Sequence, residues 1–304
     1  MSFHIAVLDA DVPVPAVYNA RGLYSSQFRH LLQSAAARLS EAGHKITIHT
    51  SAYDVVGGTF PPLESLRTTK RPETRSNETS TSTSNPLAQP IDGILITGAA
   101  AGAYDTYPWI KPLETWIQRV YTQYPHVKFF GSCFGHQIIA QALLSTSAPQ
   151  CAPGPAMKVE LCPDGRETGL VPIDLSPEFV AAFPEALEKL PGAGRQMRLQ
   201  MIHGDWVVPV AGPKKELPAG WVNVGSTELC PVQGLYCPGR VLTYQGHFEF
   251  DVFVNRETCL AFGRRLKWSE EETARFVELI EVGEDDDSKV AAEVVAMFFC
   301  GLNE

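Results

Sequence analysis

Apolar and polar positions along the first half of the chain alternate between two periods. Residues 3–8 (FHIAVL) are an almost unbroken apolar run, the pattern of a strand buried on both faces. The stretch DADVPVPAVYNARGLYSSQF is a loop opening into a helix, in which Leu23, Phe28, Leu31, Leu32, Ala35 and Leu39 recur at helical spacing. Gly43 stops that helix and KITIHT follows as a second strand. IDGILITG reads as a third strand ending at Gly98. Residues 108–124 read as a helix with Leu113, Trp116, Ile117, Val120 and Tyr121 on one face. VKFFG is a fourth strand, and a further helix runs to Leu144. This alternation predicts an α/β fold with a doubly wound, mostly parallel sheet. Ligands bind such sheets at the carboxyl ends of strands, where Gly98 and Cys133 fall.

The pattern breaks twice. Residues 64–90 are rich in Ser, Thr, Pro and Asn with little to bury, and read as an exposed, mobile insertion in one 304-residue domain. The C-terminal half is less regular. Ser176 and Pro177 start a helix, and residues 221–251 suggest a hairpin and a final strand. A helical extension over residues 269–304 begins with a Ser269/Glu272 capping box. GEDDDS is expected to be a solvated loop. Residues 289–300 form a strongly apolar last helix, packed on the body or on a partner.

Composition narrows the class. With 44% hydrophobic residues the chain can bury a sizeable core, and its net charge of -9 argues against a nucleic-acid partner. Seven cysteines without a C-x-x-C pair argue for reduced thiols in the cytoplasm, not for a disulfide framework or a structural zinc. The last apolar segment is too short for a membrane span and carries Glu293.

One cysteine stands apart. Gly131-Ser132-Cys133-Phe134-Gly135 is G-x-C-x-G between a predicted strand and a predicted helix, the cysteine form of a nucleophile elbow. A tight turn there lifts the thiol above the sheet, and the helix start favours thiolate over thiol. The amide of Phe134 can then face a developing oxyanion. A base is available at His247, just after the apolar run VLTYQ. Glu249, two residues on in extended chain, lies on the same side and can orient the imidazole. His136, inside the elbow, is expected to orient the turn or pack beneath it. The remaining cysteines, Cys151, Cys162, Cys230, Cys237, Cys259 and Cys300, are expected to be plain thiols.

FGSCFGHQ together with QGHFE strongly resembles the class I glutamine amidotransferase catalytic domain. Gly131, Cys133, Gly135 and Gln137 match G-x-C-x-G-x-Q. Gln245, His247 and Glu249 match Q-x-H-P-E, with Phe248 in place of proline. MIHGDWV looks like the M-x-H-G-D-x-V stretch of the guanylate-synthesising members. The resemblance implies the flavodoxin-like fold and a Cys133, His247, Glu249 triad. It implies an oxyanion hole completed around Gly98 and Ala99, where alanines replace the usual Gly-Gly or Gly-Ser. It also implies substrate contacts from Gln137, His203, Gly204 and Asp205, though His203 suits a loop-ordering bond as well. No metal or organic cofactor is called for.

DVPVPAVYNARGLYSSQF and GAYDTYPWI further resemble stand-alone fungal members related to plant γ-glutamyl peptidases. The implied function is a cysteine amidase acting through a thioester on glutamine or a γ-glutamyl compound. Three alternatives stay open. One is a glutaminase subunit feeding a partner synthetase. Another is an acyl hydrolase or transferase on a substrate other than glutamine. The third is a non-catalytic regulator, and a homodimer is open in each case.

Overall fold

The computed structural model describes residues 1–71, 85–146, 148, 156–192, 194–212, 216–282 and 286–303. The first half runs β1 (Ser2–Asp9), α1 (Pro15–Arg21), α2 (Tyr24–Glu41), β2 (Thr47–Asp54), β3 (Gly93–Ile96), α3 (Ile110–Gln123), β4 (Lys128–Ser132) and α4 (Phe134–Leu144). The second half continues with β5 (Met157–Leu161), β6 (Glu167–Leu175), α5 (Pro177–Ala182), α6 (Pro184–Leu187), β7 (Gln196–His203) and β8 (Asp205–Pro209). It ends with β9 (Val222–Asn223), β10 (Gly225–Ser226), β11 (Leu235–Cys237), β12 (Val241–Tyr244), α7 (Val252–Leu266), α8 (Glu270–Glu281) and α9 (Ser288–Cys300).

The central sheet has seven strands in the order β2-β1-β3-β4-β12-β11-β9. Pairing is parallel from β2 to β12 and antiparallel at β11 and β9. The period-two rule divides β1 between two cores. Phe3, Ile5 and Val7 join Phe28, Leu32 and the apolar residues of α9, whereas Ala6 and Leu8 join Leu113, Ile117, Ile138 and Leu143. Helices therefore cover both faces, as the alternating sequence pattern predicts.

β12 is the strand that matters for the site. It comes from more than a hundred residues downstream, yet pairs in parallel with β4, Tyr244 opposite Ser132. The ends of these two strands deliver both halves of the QGHFE and GSCFG pattern to one place.

Several local expectations change. Residues 15–21, read as loop, form α1, with Pro15 in its first turn and Gly22 at φ 75 ending it. The turn is short, so periodicity does not reveal it. Part of the predicted insertion, residues 72–84, lies outside the described residues. Its flanks are packed: Leu66 is buried and bridges Ile91, while Arg67 Nε and Arg71 Nη2 reach the Asp92 carboxylate. Of the acidic patch GEDDDS, residues 283–285 lie outside the described residues, but Asp287 is buried and its carboxylate accepts from the Arg198 backbone and guanidinium at 2.7–3.2 Å. A single charge pair outweighs the solvated-loop expectation there. Antiparallel pairing also builds two small separate sheets, β10-β6-β7 and β5-β8, that the mixed pattern of residues 157–209 did not announce.

α9 packs on the body. Ala291 to Cys300 are all buried, and the Phe299 ring occupies the space where a Cβ on Gly93 would sit. Its one buried acid, Glu293, is held by Arg38 Nε at 2.5 Å and Lys189 Nζ at 2.6 Å. Burial alone would raise the Glu293 pKa, but the two cations and their hydrogen bonds lower it. Among the described residues, no helix is long and apolar enough to cross a membrane.

Candidate active site

At the end of β4 the chain turns through Cys133, whose φ of 49 and ψ of -104 are costly for a residue with a Cβ. Neighbours enforce the turn. Cys133 N donates to Tyr244 O at 2.8 Å, tying the elbow to the end of β12. A Cβ on Gly131 would strike the Gly135 backbone, and one on Gly135 would strike the carbonyl of Ile96. Only glycine allows β3, β4 and α4 to approach this closely. α4 then begins at Phe134, so the Phe134 amide belongs to the first turn, whose N–H groups have no intrahelical acceptor.

His247 arrives from the segment after β12, its N–H donating to Gln200 O on β7 at 2.9 Å. His247 Nδ1 lies 2.7 Å from Glu249 Oε1, and Ser132 Oγ donates to the same oxygen at 2.9 Å. The imidazole is buried and stacks on Phe250, with ring centroids 4.0 Å apart and planes within 13°. With Nδ1 engaged, Nε2 is left facing Cys133, close enough for charge to act though outside strict hydrogen-bond geometry. Burial alone would disfavour imidazolium. The carboxylate of Glu249 and the sulfur of Cys133 outweigh it and raise the His247 pKa from 6.5 to about 10.

The loop after β3 closes the third side. A Cβ on Gly98 would come within 3.0 Å of His247 Cε1 and 3.7 Å of Cys133 Cβ, so the backbone itself abuts the pair. Thr97 Oγ1 accepts from Ala10 N at 2.9 Å and donates to Gly98 O at 3.1 Å. Asp11 Oδ2 accepts from Ala100 N at 2.8 Å. Two side-chain links thus pin the loop carrying Gly98 and Ala99 to the end of β1.

The residues expected to hold substrate are brought near Cys133 by one route only. Gln137 Nε2 donates to Gln245 Oε1 at 3.1 Å, and Gln245 Nε2 reaches Cys133 Sγ at 3.5 Å. His203 is buried with both ring nitrogens occupied, Nε2 by Glu167 Oε2 and Nδ1 by Asp205 O, each at 2.9 Å. This is the loop-ordering bond. Burial raises the Glu167 pKa, but bonds from His203, Thr227 and Gln233 bring it below its ordinary value. Asp205 Oδ1 accepts from Tyr104 OH at 2.8 Å, and burial raises its pKa despite that bond. Gly204 lies between them, against the Arg166 side chain. None of Gln137, His203, Gly204 and Asp205 lines the cavity that opens onto Cys133.

That cavity, of about 150 Å³, is lined instead by Cys133, His247 and Gly98 to Ala100 together with Asp11, Tyr24 and one face of α7. Thr258, Ala261, Phe262 and Arg265 recur on that face at i, i+3, i+4 and i+7. Tyr24 stays a neutral phenol: burial and the nearby acids Asp11 and Glu249 push its pKa up. His136 sits beneath the elbow with Nδ1 2.8 Å from Thr243 Oγ1, and burial, aided by His203, lowers its pKa to about 3. Cys162, Cys230, Cys259 and Cys300 are buried and Cys237 is half-buried, while Cys151 lies outside the described residues. No cluster of three potential metal ligands occurs among the described residues.

Ser132, Asp11 and the α7 face are additions to the sequence reading. Ser132 precedes the elbow cysteine and so had a signal in its position. α7 had one too, since it starts three residues after Glu249. Asp11 had none, because only the folded sheet sets β1 beside β3.

Comparison with known proteins gives a consistent result. No family model matches the chain. A Schizosaccharomyces pombe protein described as glutamine amidotransferase-like is 30% identical over 254 residues, covering 84% of this chain and 82% of its own length. A Saccharomyces cerevisiae protein of similar description is 34% identical over 182 residues, 59% of this chain and 61% of its own. A glutamine amidotransferase structure from Thermotoga maritima superposes with TM-score 0.59 at 15% identity, covering 98% of each chain. One from Methylobacillus flagellatus gives 0.57 at 20% identity, covering 99% of this chain and 94% of its own. At 15% and 20% identity those two likenesses show the fold alone, and the Schizosaccharomyces pombe relative carries the assignment further: the chain belongs to the glutamine amidotransferase-like family and has the class I glutamine amidotransferase fold.

Proposed function

We propose that the chain is a cysteine amidase acting on the γ-carboxamide of glutamine or of a γ-glutamyl compound. The observation that carries this reading is the Glu249–His247 pair at 2.7 Å with its free Nε2 turned to a cysteine on a strained elbow. In the first step Cys133 Sγ, as thiolate, attacks the amide carbon and a C–S bond forms. The negative oxygen is held by amides near Gly98, Ala99 and Phe134. His247 gives its Nε2 proton to the departing nitrogen as the C–N bond breaks, leaving a thioester and a free amine. In the second step neutral His247 removes a proton from water, whose oxygen attacks the thioester. The C–S bond breaks, releasing a carboxylic acid and restoring the thiolate–imidazolium pair. Glu249, steadied by Ser132, holds the ring and its charge throughout.

Each step uses protein groups and water. A reduced thiol nucleophile suits a reducing compartment, and the cytoplasm is the proposed location. The test is to incubate the protein with glutamine, glutathione and a glutathione conjugate and to look by mass spectrometry for acyl-Cys133 and released products. A glutamyl mass increment on Cys133, absent in Cys133→Ala, is the expected result. Identical behaviour of both proteins toward every substrate would overturn the reading.

A further inference from the structure

Two buried glutamines stand in a row beside Cys133, and the acyl-transfer steps above use neither. Gln245 follows β12 and is fully buried, its backbone N donating to Gln233 O at 2.9 Å. Gln137 is buried on α4 one helical turn after Cys133, its backbone N donating to Cys133 O at 3.1 Å. Neither lines the cavity that opens onto Cys133. Gln137 Nε2 lies 3.5 Å from Asp205 O and 3.1 Å from Gln245 Oε1. Gln245 Nε2 in turn lies 3.5 Å from Cys133 Sγ.

The direction of this row is set at its far end. A backbone carbonyl can only accept, so the Asp205 oxygen requires the NH2 end of Gln137 beside it. That NH2 group has a second hydrogen, and its other neighbour must therefore be an oxygen. Gln245 is thereby held with Oε1 toward Gln137 and Nε2 toward the sulfur. Turning Gln245 over would set two NH2 groups against each other, and a buried donor without an acceptor is costly. The amide nitrogen of Gln245 only donates, so the sulfur is the acceptor in this contact. A thiol accepts weakly, whereas a thiolate accepts a charge-assisted bond. The bland role for such a pair is to tie the elbow to β12. Cys133 N makes that tie already, on Tyr244 O at 2.8 Å.

We propose that Gln245 holds the Cys133 thiolate through an N–H···S contact, and that Gln137 is a positioning residue that keeps Gln245 turned with its donor to the sulfur. The acyl-transfer reading is needed only for what the thiolate then does. Gln137 serves the nucleophile on this account, and not the substrate.

The test reads the thiolate with no substrate present. Cys133 is alkylated with iodoacetamide from pH 5 to pH 10, and the rate is followed by peptide mass spectrometry. Gln245→Met keeps the length of the side chain and removes the donor. It should move the midpoint of the rate profile up by about one pH unit, the scale of one hydrogen bond to a charged acceptor. Gln137→Met should move it the same way by less. The double variant should match Gln245→Met alone, because Gln137 acts only through Gln245. Gln141→Met, one turn further along α4 and bonded to Ala103 O, should leave the midpoint in place. The titratable groups around the sulfur are the same in every variant: His247 and Glu249 after β12, His136 on α4, Tyr24 on α2, Asp11 after β1 and Arg265 on α7. A variant that failed to fold would also label the buried Cys162, Cys230, Cys259 and Cys300. A second measurement needs no variant and decides the matter if Gln245→Met does not fold. In isotope-labelled wild-type protein, the NMR signals of the Gln245 side-chain amide should shift with pH at the alkylation midpoint. A midpoint unmoved in Gln245→Met, a double variant shifted by the sum of the single ones, or a Gln245 amide indifferent to pH overturns the proposal. If these profiles hold while no acyl-Cys133 forms with glutamine or glutathione, the amidase reading fails alone.

Discussion

His247 and His136 lie at the same end of the sheet and are pushed in opposite directions. The His247 pKa rises from 6.5 to about 10 on folding. Its contribution to stability is complete below pH 6.5 and is lost as pH climbs toward 10. The His136 pKa falls to about 3 because burial disfavours its charge. Its contribution is present above pH 6.5 and is lost as pH falls toward 3. Thermal melts from pH 4 to pH 10 should thus show a dome. Glu249→Gln should flatten the alkaline limb, and His136→Asn should flatten the acid limb. Curves that stay parallel to wild type would show that neither ring titrates in this way. The same residues order the kinetic losses. His247→Ala should slow turnover more than Glu249→Ala, and Ser132→Ala should slow it least, since Ser132 only steadies the carboxylate that steadies the ring. Equal rates in all three would remove the triad. The grouping of Cys133, His247 and Glu249 was legible in the sequence because each sits in a short local pattern: a turn between glycines, and two residues on one side of extended chain. Arg265 and Asp11 were not, because their relation to Cys133 exists only once α7 and β1 are packed around it.

At the scale of elements, the site depends on how closely β3, β4 and α4 approach. Gly135→Ala drives a methyl group into the Ile96 carbonyl and should cost about 1–3 kcal/mol in urea melts, the range for overpacking a dense core. It should also slow acylation of Cys133, because the shift falls on the first turn of α4. A change of less than 0.5 kcal/mol would mean the strand end yields easily. α7 offers a gentler test. Asp251 caps it, accepting from Val254 N at 2.8 Å, and also pairs with Arg21 at 2.9 Å where both side chains are about half exposed. Asp251→Ala should cost about 1 kcal/mol through the lost cap, and Arg21→Ala only a few tenths, since exposed pairs contribute little. The parallel strands and long helices of the first half were legible from periodicity. The two small antiparallel sheets, β5-β8 and β10-β6-β7, were not: β5 and β6 mix exposed and buried positions, and neither pairs with the strand next to it through a tight turn.

For the whole molecule, the insertion of β12 beside β4 sets the order in which competence is gained. Local units such as β1-α2-β2 close short loops, whereas the β4–β12 pair closes more than a hundred residues, and such contacts form late. Until β12 docks, Cys133 has neither its anchoring bond to Tyr244 nor its base. Refolding from urea should therefore restore far-ultraviolet dichroism before it restores amide cleavage, and simultaneous recovery would show that the long-range pair is not the late event. A half-folded chain would carry Cys133 as one ordinary thiol among seven, so reactivity is withheld until the last strand is in register. On the proposed amidase reading, the fold would work as a safety catch on its own thiol, released by topology instead of by a modifying factor.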